Sequence, residues 1–361
     1  MSSVTLKNVY KDFPSDVRGV SDFTLEINDG EVIVLLGPSG CGKTTTLRMI
    51  AGLEEISKGE VYFDDRLIND VHPKNRGVAM VFYNYALFPY MTVFENIAFG
   101  LKPTDMPEDE IKEKVGEVAR ILQVEHLFDR KPHELASGQK QRVALARGLV
   151  RKNGVVCLDE PLSNLDMRLR MFMRTELIKI HQKFQTTFIC VTHDQAEAMA
   201  IADRIVVMRD GFIQQADTPE EIYLHPKNLF VAGFMGTPQM NFWETRVAEQ
   251  DGEIYITLGE VKIKLPENKA DKASAYVGKE ILAGIRSEYL FENEAGIIDA
   301  NVEVREFLGD SVYLYCAIGS DTAIVRASPD CIAKTGDKIK LAANPEKIYL
   351  FDKETELAIA N

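Results

Sequence analysis

Gly37-Pro-Ser-Gly-Cys-Gly-Lys-Thr44 follows the apolar run VIVLLG (32–37) and opens onto Thr44-Thr-Thr-Leu-Arg-Met-Ile-Ala51. This is an unbroken G-x-x-x-x-G-K-[ST] set between a strand and a helix, the context in which that spacing carries a mechanism. The glycines let the backbone wrap an anion with its N–H groups, and the helix N-terminus adds a favourable dipole. Lys43 brings positive charge to the β- and γ-phosphates of a nucleotide, and the Thr44 hydroxyl can ligate Mg²⁺. Gly37, Ser39, Gly40, Cys41, Gly42, Lys43, Thr44 and Thr45 are therefore the candidate nucleotide-binding residues. Cys41 has two readings, a small residue that fits the turn or a thiolate favoured by the helix N-terminus and Lys43 and open to oxidation.

Outward from this loop, short β-rich runs alternate with helical stretches. Further strands are expected at GVAMVF (77–82), GVVCLD (154–159), TTFICVT (186–192) and RIVVMRD (204–210). Several are almost continuously apolar, as strands covered on both faces should be, so the pattern predicts an α/β fold with a largely parallel sheet. A helix-rich insert at about 86–150, including EDEIKEKVGEVARILQ, is long enough to form its own subdomain. The Met173/Leu177/Ile180 spacing reads as a helix core face. The run Val155-Val-Cys-Leu-Asp-Glu160 places Asp159 at the C-terminal edge of a buried strand, where it can hold Mg²⁺ directly or through water. Glu160, one residue on, is positioned to polarise a water for in-line attack.

Length and composition agree with two domains. The 361 residues correspond to about two units of ~150, and 45% hydrophobic with 27% charged residues is a globular balance. A formal charge of −13 argues against a nucleic-acid backbone as the main partner. No run approaches the ~18 apolar residues a membrane helix requires. The start lacks a secretory pattern, and the five cysteines form no CxxC pair. These features describe a reduced, cytosolic protein. After about residue 237 the texture changes to short alternating strands broken by Gly, Asp and Asn, which predicts a small β-barrel or sandwich. The expected domains are 1–236 and 237–361, with the turn at Gly236-Thr-Pro-Gln between them.

The motifs between these anchors resemble the ATP-binding-cassette superfamily, in order, over about 230 residues. Asp159-Glu-Pro-Leu-Ser-Asn-Leu-Asp166 joins the acidic motif to a segment like the family's D-loop, and Val191-Thr-His-Asp-Gln-Ala-Glu197 carries a residue like its switch histidine, His193. Leu135-Ala-Ser-Gly-Gln-Lys-Gln-Arg142 stands where the family signature belongs, and Phe13 where an aromatic stacks on adenine. Met80-Val-Phe-Tyr-Asn-Tyr-Ala-Leu-Phe-Pro89, Gly211-Phe-Ile-Gln-Gln-Ala-Asp-Thr-Pro-Glu-Glu-Ile-Tyr223 and Ile285-Arg-Ser-Glu288 are similar to stretches of the ATPases that energise sugar import. The likeness weakens over the last 120 residues.

The resemblance implies a phosphate-loop cassette with a helical subdomain, followed by an all-β barrel of the oligosaccharide-binding type. It implies an ATPase using ATP and Mg²⁺, with Glu160 and His193 catalytic and Thr44 and Asp159 at the metal. Phe13, Tyr83, Ser137, Gly138, Gln139 and Asp166 join the phosphate-loop residues as nucleotide contacts, some of them across a dimer in which each chain closes the other's site. The implied partners are a second cassette subunit, transmembrane permease subunits and, through them, an external solute-binding protein, with no nucleic acid. The chain would sit peripherally on the inner face of the cell membrane. Two positions depart from the family pattern. Tyr83 stands where the family has Gln, and Leu-Ala-Ser-Gly-Gln139 where it has Leu-Ser-Gly-Gly-Gln. These leave open a slow or regulatory ATP-binding partner, and the resemblance, since such a motor does not touch the solute, also leaves open an importer of iron, polyamine, sulfate or glycerol phosphate.

Overall fold

The computed structural model describes residues 2–14, 17–102, 106–151, 154–258 and 261–361. Contacts divide the chain into two compact units, Met1–Pro219 and Glu220–Asn361. In the first, β1 (Val4–Phe13) and β2 (Val17–Ile27) pair antiparallel, and β3 (Val32–Leu36) leads into α1 (Lys43–Ala51). β4 (Lys58–Phe63) returns to the free edge of β1, with β5 (Arg66–Leu67) outside it. β6 (Val78–Val81) precedes the helical insert, α2 (Val93–Ala98), α3 (Glu108–Ile121) and α4 (Ser137–Leu149). Then come β7 (Val155–Asp159), α5 (Met167–Phe184), β8 (Thr187–Thr192), α6 (Gln195–Ile201), β9 (Arg204–Arg209) and β10 (Phe212–Asp217).

The second sheet runs β10-β9-β3-β8-β7-β6 and is parallel except for β10. β3, β7 and β8 are buried at every residue, which is why they read as unbroken apolar runs. All five expected strands are present. Leu47, Met49 and Ile50 of α1 share one core with Val155, Cys157, Ile189 and Val191 of the sheet. That packing aims the strand C-termini and the N-terminus of α1 at one place, where open α/β sheets bind their ligands. Met173, Leu177 and Ile180 form the buried face of α5, as their spacing predicted.

In the insert, Thr92 and Glu95 cap α2 reciprocally, at 3.2 and 2.8 Å. The buried Asn96 amide accepts from Phe88 N and donates to the carbonyls of Phe88, Met91 and Thr92, stitching residues 88–92 together. Residues 103–105 of the insert lie outside the described residues.

The second unit opens with most of α7 (Pro219–Leu224) and with α8 (Leu229–Phe234), then becomes an antiparallel β structure. Its four-stranded sheet contains β11 (Asn241–Arg246). A three-stranded sheet holds β12 (Ala248–Gln250), β13 (Glu253–Leu258) and β14 (Val261–Lys264). A five-stranded sheet spans residues from Leu290 to Ala343, and the sheets enclose one core that includes Trp243, Ile256, Ile281, Leu314 and Leu350.

The units divide at Pro219/Glu220 rather than at the expected 236/237. The reason is Arg286, fully buried, whose guanidinium donates to Met235 O and Tyr223 O at 2.6 Å each and lies 3.6 Å from the Tyr223 ring centroid. Tyr223 Oη in turn donates to Glu288 Oε1 at 2.7 Å. The Ile285-Arg-Ser-Glu288 motif thus ties α7 and α8 to the β-unit.

Candidate nucleotide site

The turn from β3 into α1 bends around backbone. Gly42 caps α1 with φ of 102°, a conformation that side chains with a Cβ rarely adopt. A Cβ there would also meet the Gly19 carbonyl of β2. Lys43, nearly buried, donates from Nζ to Gly37 O and Pro38 O at 2.8 Å each. Its ammonium is therefore held at the centre of the loop by the loop's own carbonyls. Thr46 Oγ1 donates to Gly42 O at 3.0 Å, fastening the first helical turn.

Two further strands deliver the acids. Asp159 ends β7, and Thr44 Oγ1 donates to its Oδ1 at 3.2 Å. Burial pushes the Asp159 carboxyl above its ordinary value, Glu160 adds to this, and the Thr44 hydroxyl with the charges of Arg48 and Lys43 opposes it. A hydroxyl and a buried carboxylate side by side form a hard-oxygen pair suited to Mg²⁺. Glu160 follows with φ of 48°, its N–H bonded to Val191 O at 2.9 Å. This left-handed turn is a strained conformation for a residue with a Cβ. His193 Nδ1, just past β8, lies 3.4 Å from Glu160 Oε1. Ser39, Gly40, Gly42, Lys43, Thr44, Thr45, Glu160 and His193 line a single cleft of about 240 Å³.

Phe13 reaches this cleft indirectly. Its half-buried ring covers Gly19, whose carbonyl packs on Gly42. Tyr83, Ser137, Gly138, Gln139 and Asp166 do not line it. Asp166 Oδ1 accepts from Leu169 N at 3.0 Å and caps α5. Ala136 is the cap of α4 and has no side-chain oxygen to offer; its N–H instead donates to Gln139 Oε1 at 3.0 Å. Gly138 lies against Leu169 and Leu165. Tyr83 is 49% exposed, and its carbonyl accepts from Asn164 Nδ2 at 3.2 Å.

The thiolate reading of Cys41 is corrected. Burial pushes its thiol up, outweighing the lowering effect of Lys43. Cys41 fills space beneath the loop, close to the position a Gly37 Cβ would take.

Two residues near the site escaped the sequence reading. Arg147 of α4 donates to Ala86 O at 2.6 Å and Tyr85 O at 3.0 Å. It thereby holds two successive residues with φ of 43° and 63°. Glu197 is buried behind His193. Arg147 acts through contacts across the fold, and Glu197, though it ends the Val191–Glu197 run, owes its part to burial, which spacing does not signal.

A strand–glycine loop–helix cradle with an acidic strand end beside it defines a phosphate-loop nucleotide-binding protein. The ABC transporter family model matches residues 20–163, and the MalK OB fold domain model matches residues 236–290. "Oligosaccharides import ATP-binding protein MsmX" of Bacillus subtilis is 47% identical over 99% of this chain and all of its own length. "Osmoprotective compounds uptake ATP-binding protein GgtA" of Synechocystis is 43% identical over the same shares. An ATP-binding cassette solved as a dimer with ADP and Pi after hydrolysis superposes with a TM-score of 0.56 at 30% identity, over 60% of this chain and 98% of that one. The chain belongs to the ATP-binding proteins of the ABC transporter family, and it is a nucleotide-binding ATPase. Among the described residues no helix is long and apolar enough to cross a membrane.

Proposed function

We propose that this chain hydrolyses ATP between two copies of itself, or between itself and a related subunit, to drive import of a sugar or sugar-like solute through separate permeases. One observation carries the mechanism: Lys43, Thr44, Glu160 and His193, drawn from three strand ends, face one cleft. Lys43 binds the β- and γ-phosphates. Thr44 and Asp159 would hold Mg²⁺, which would supply neutralisation of the phosphate charge. Glu160 takes a hydrogen bond from the attacking water, and His193 fixes the γ-phosphate and that water from the other side.

The cleft supplies donors from below only, and Ser137 to Gln139 are absent from its lining. A second chain presenting those residues completes it. ATP then bridges the pair, and loss of the γ-phosphate releases the bridge, a population shift driven by differential affinity for the closed state. The solute class is supported by MsmX and by the OB fold domain match. The pore comes from transmembrane permeases, an external solute-binding protein delivers to them, and the chain works on the inner face of the membrane.

Phosphate release from the purified chain tests the site. Glu160→Gln and His193→Ala should each cost about 10²–10³ in turnover. Turnover unchanged in both would refute these roles. A slower, regulatory reading is favoured by Tyr83 and by Ala136, and is separated by the same measurement through the parent's absolute rate.

A further inference from the structure

Behind His193 lies a carboxylic acid that hydrolysis as described does not use. Glu197, in α6, is 2% exposed. Its Oε2 accepts from Thr192 Oγ1 at 2.8 Å, and Thr192 Oγ1 accepts from Asp194 N at 3.1 Å. Glu197 N donates to Asp194 Oδ1 at 2.9 Å, closing a ring of hydrogen bonds around the loop on which His193 stands. The other Asp194 oxygen, Oδ2, pairs with Arg170 Nη1 at 2.9 Å. Glu197 Oε1 is buried and has no hydrogen-bond partner among the described residues.

An unpartnered buried oxygen is tolerable on a neutral carboxyl and costly on an ionised one. Of the surroundings, the two nearby carboxylates act in the same direction, while the Thr192 hydrogen bond and Arg170 oppose them. Asp194 and Glu160 are like charges, Arg170 is the opposing cation but is engaged by Asp194, and Arg174 is turned to Ala196 O at 3.2 Å. The Cys190 thiol on β8, itself pushed well up by burial, is further disfavoured as a thiolate by Glu197. Burial first, then the charges of Asp194 and Glu160, push Glu197 up to about 7 against the Thr192 hydrogen bond and Arg170.

We propose that Glu197 is a positioning residue for hydrolysis, holding the His193 loop in place while it carries its proton and releasing it on ionisation. Ionised, Oε1 requires a donor, and Arg170 is the cation at hand. Drawing Arg170 across unpairs Asp194, whose Oδ1 caps α6. The segment between Thr192 and Asp194 then loses the ion pair that ties its far end to α5, and with that anchor gone His193 loses its place beside Glu160. This inference rests on the roles of Glu160 and His193 proposed above.

The test is steady-state ATP hydrolysis by the purified full chain between about pH 6 and about pH 9, for the parent, Glu197→Gln, Glu197→Ala and His193→Ala. The parent kcat is expected to fall above a midpoint near 7, steepening toward about tenfold per pH unit, while KM for ATP holds. Glu197→Gln keeps the shape and the acceptor without an ionisable proton, so its kcat should stay level over that range. Glu197→Ala, with no acceptor for Thr192, should be slower at every pH. A Glu197→Gln profile that falls with pH as the parent's does, or a parent profile without the fall, overturns the inference. So does a Glu197→Gln chain that no longer melts cooperatively, since the residue would then be a structural strut. Parental turnover in His193→Ala would instead remove the site reading on which this one stands.

Discussion

Replacing Tyr83 by Gln separates binding from chemistry at the position where this chain departs from its family. The Tyr83 ring is 49% exposed, and the residue's one described hydrogen bond, from Asn164 Nδ2, goes to the backbone carbonyl that any residue keeps. Loss of the ring therefore removes little packing, and stability should stay within about 0.5 kcal/mol of the parent, as for other surface changes. The gain lies elsewhere. Gln supplies a carbonyl for a cation and an amide for water, where Tyr has one phenolic oxygen on a rigid ring. A transition-state donor is worth about 2.7–4 kcal/mol, or about 10²–10³ in rate. Single-turnover phosphate release at saturating ATP should rise toward that range, with an unchanged melting temperature. Equal rates for Tyr83→Gln and the parent would show that the loop beginning at Tyr83 does not limit hydrolysis, and would refute the argument.

Lys43→Ala should abolish ATP retention in equilibrium dialysis, since the ammonium held at the centre of the loop is lost; retention equal to the parent would sink the site. Cys41, with its thiol pushed up and buried, should react with iodoacetamide at neutral pH only as fast as the chain unfolds, as rates in denaturant would reveal. Arg286→Met should destabilise the second unit by about 2–5 kcal/mol, because the backbone carbonyls of Met235 and Tyr223 lose their buried donor; a denaturant titration with unchanged midpoint would contradict this. For Glu197, a carboxyl raised from 4.5 to about 7, the contribution to stability is full below 4.5 and is lost as pH rises through 7. Glu197→Gln should therefore gain on the parent by about 3 kcal/mol above pH 8 and not at pH 4, read by thermal melts across pH.

What could be read from the chain was whatever depends on neighbours in sequence. The cradle from Gly37 to Thr44 needs its glycines, lysine and threonine in one run, because a single turn of backbone does the binding. The buried strands announce themselves because β3, β7 and β8 are covered on both faces and are apolar almost throughout. β1 and β2 were not resolved in that way. Their ladder is broken by register shifts between Leu6 and Val9 and again near Lys11, so the apolar alternation that marks a half-covered strand is interrupted. The contact division falls ahead of the expected limit for a related reason: Gly236-Thr-Pro-Gln has the turn chemistry of a linker and the OB fold domain match begins there, but Arg286, fifty residues downstream, binds the chain on its near side to the β-unit.

Arg147 and Glu197 show the same limit at the site itself. Arg147 supports Tyr85 and Ala86 across 62 and 61 residues, and nothing in the composition of α4 marks one arginine as the brace for another loop's backbone. Glu197 looks, in sequence, like a solvent-facing acid on a short helix. It becomes a proton-holding group because α5 and β8 pack over it and because Arg170 is already engaged by Asp194. The residues that touch nucleotide are thus fixed by local spacing, whereas those that hold them in place are fixed by burial, and only the folded chain distinguishes a buried acid from an exposed one. Substitutions at Arg147 and Glu197 should for that reason alter turnover without altering the affinity for ATP, a split that substitutions at Lys43 would not reproduce.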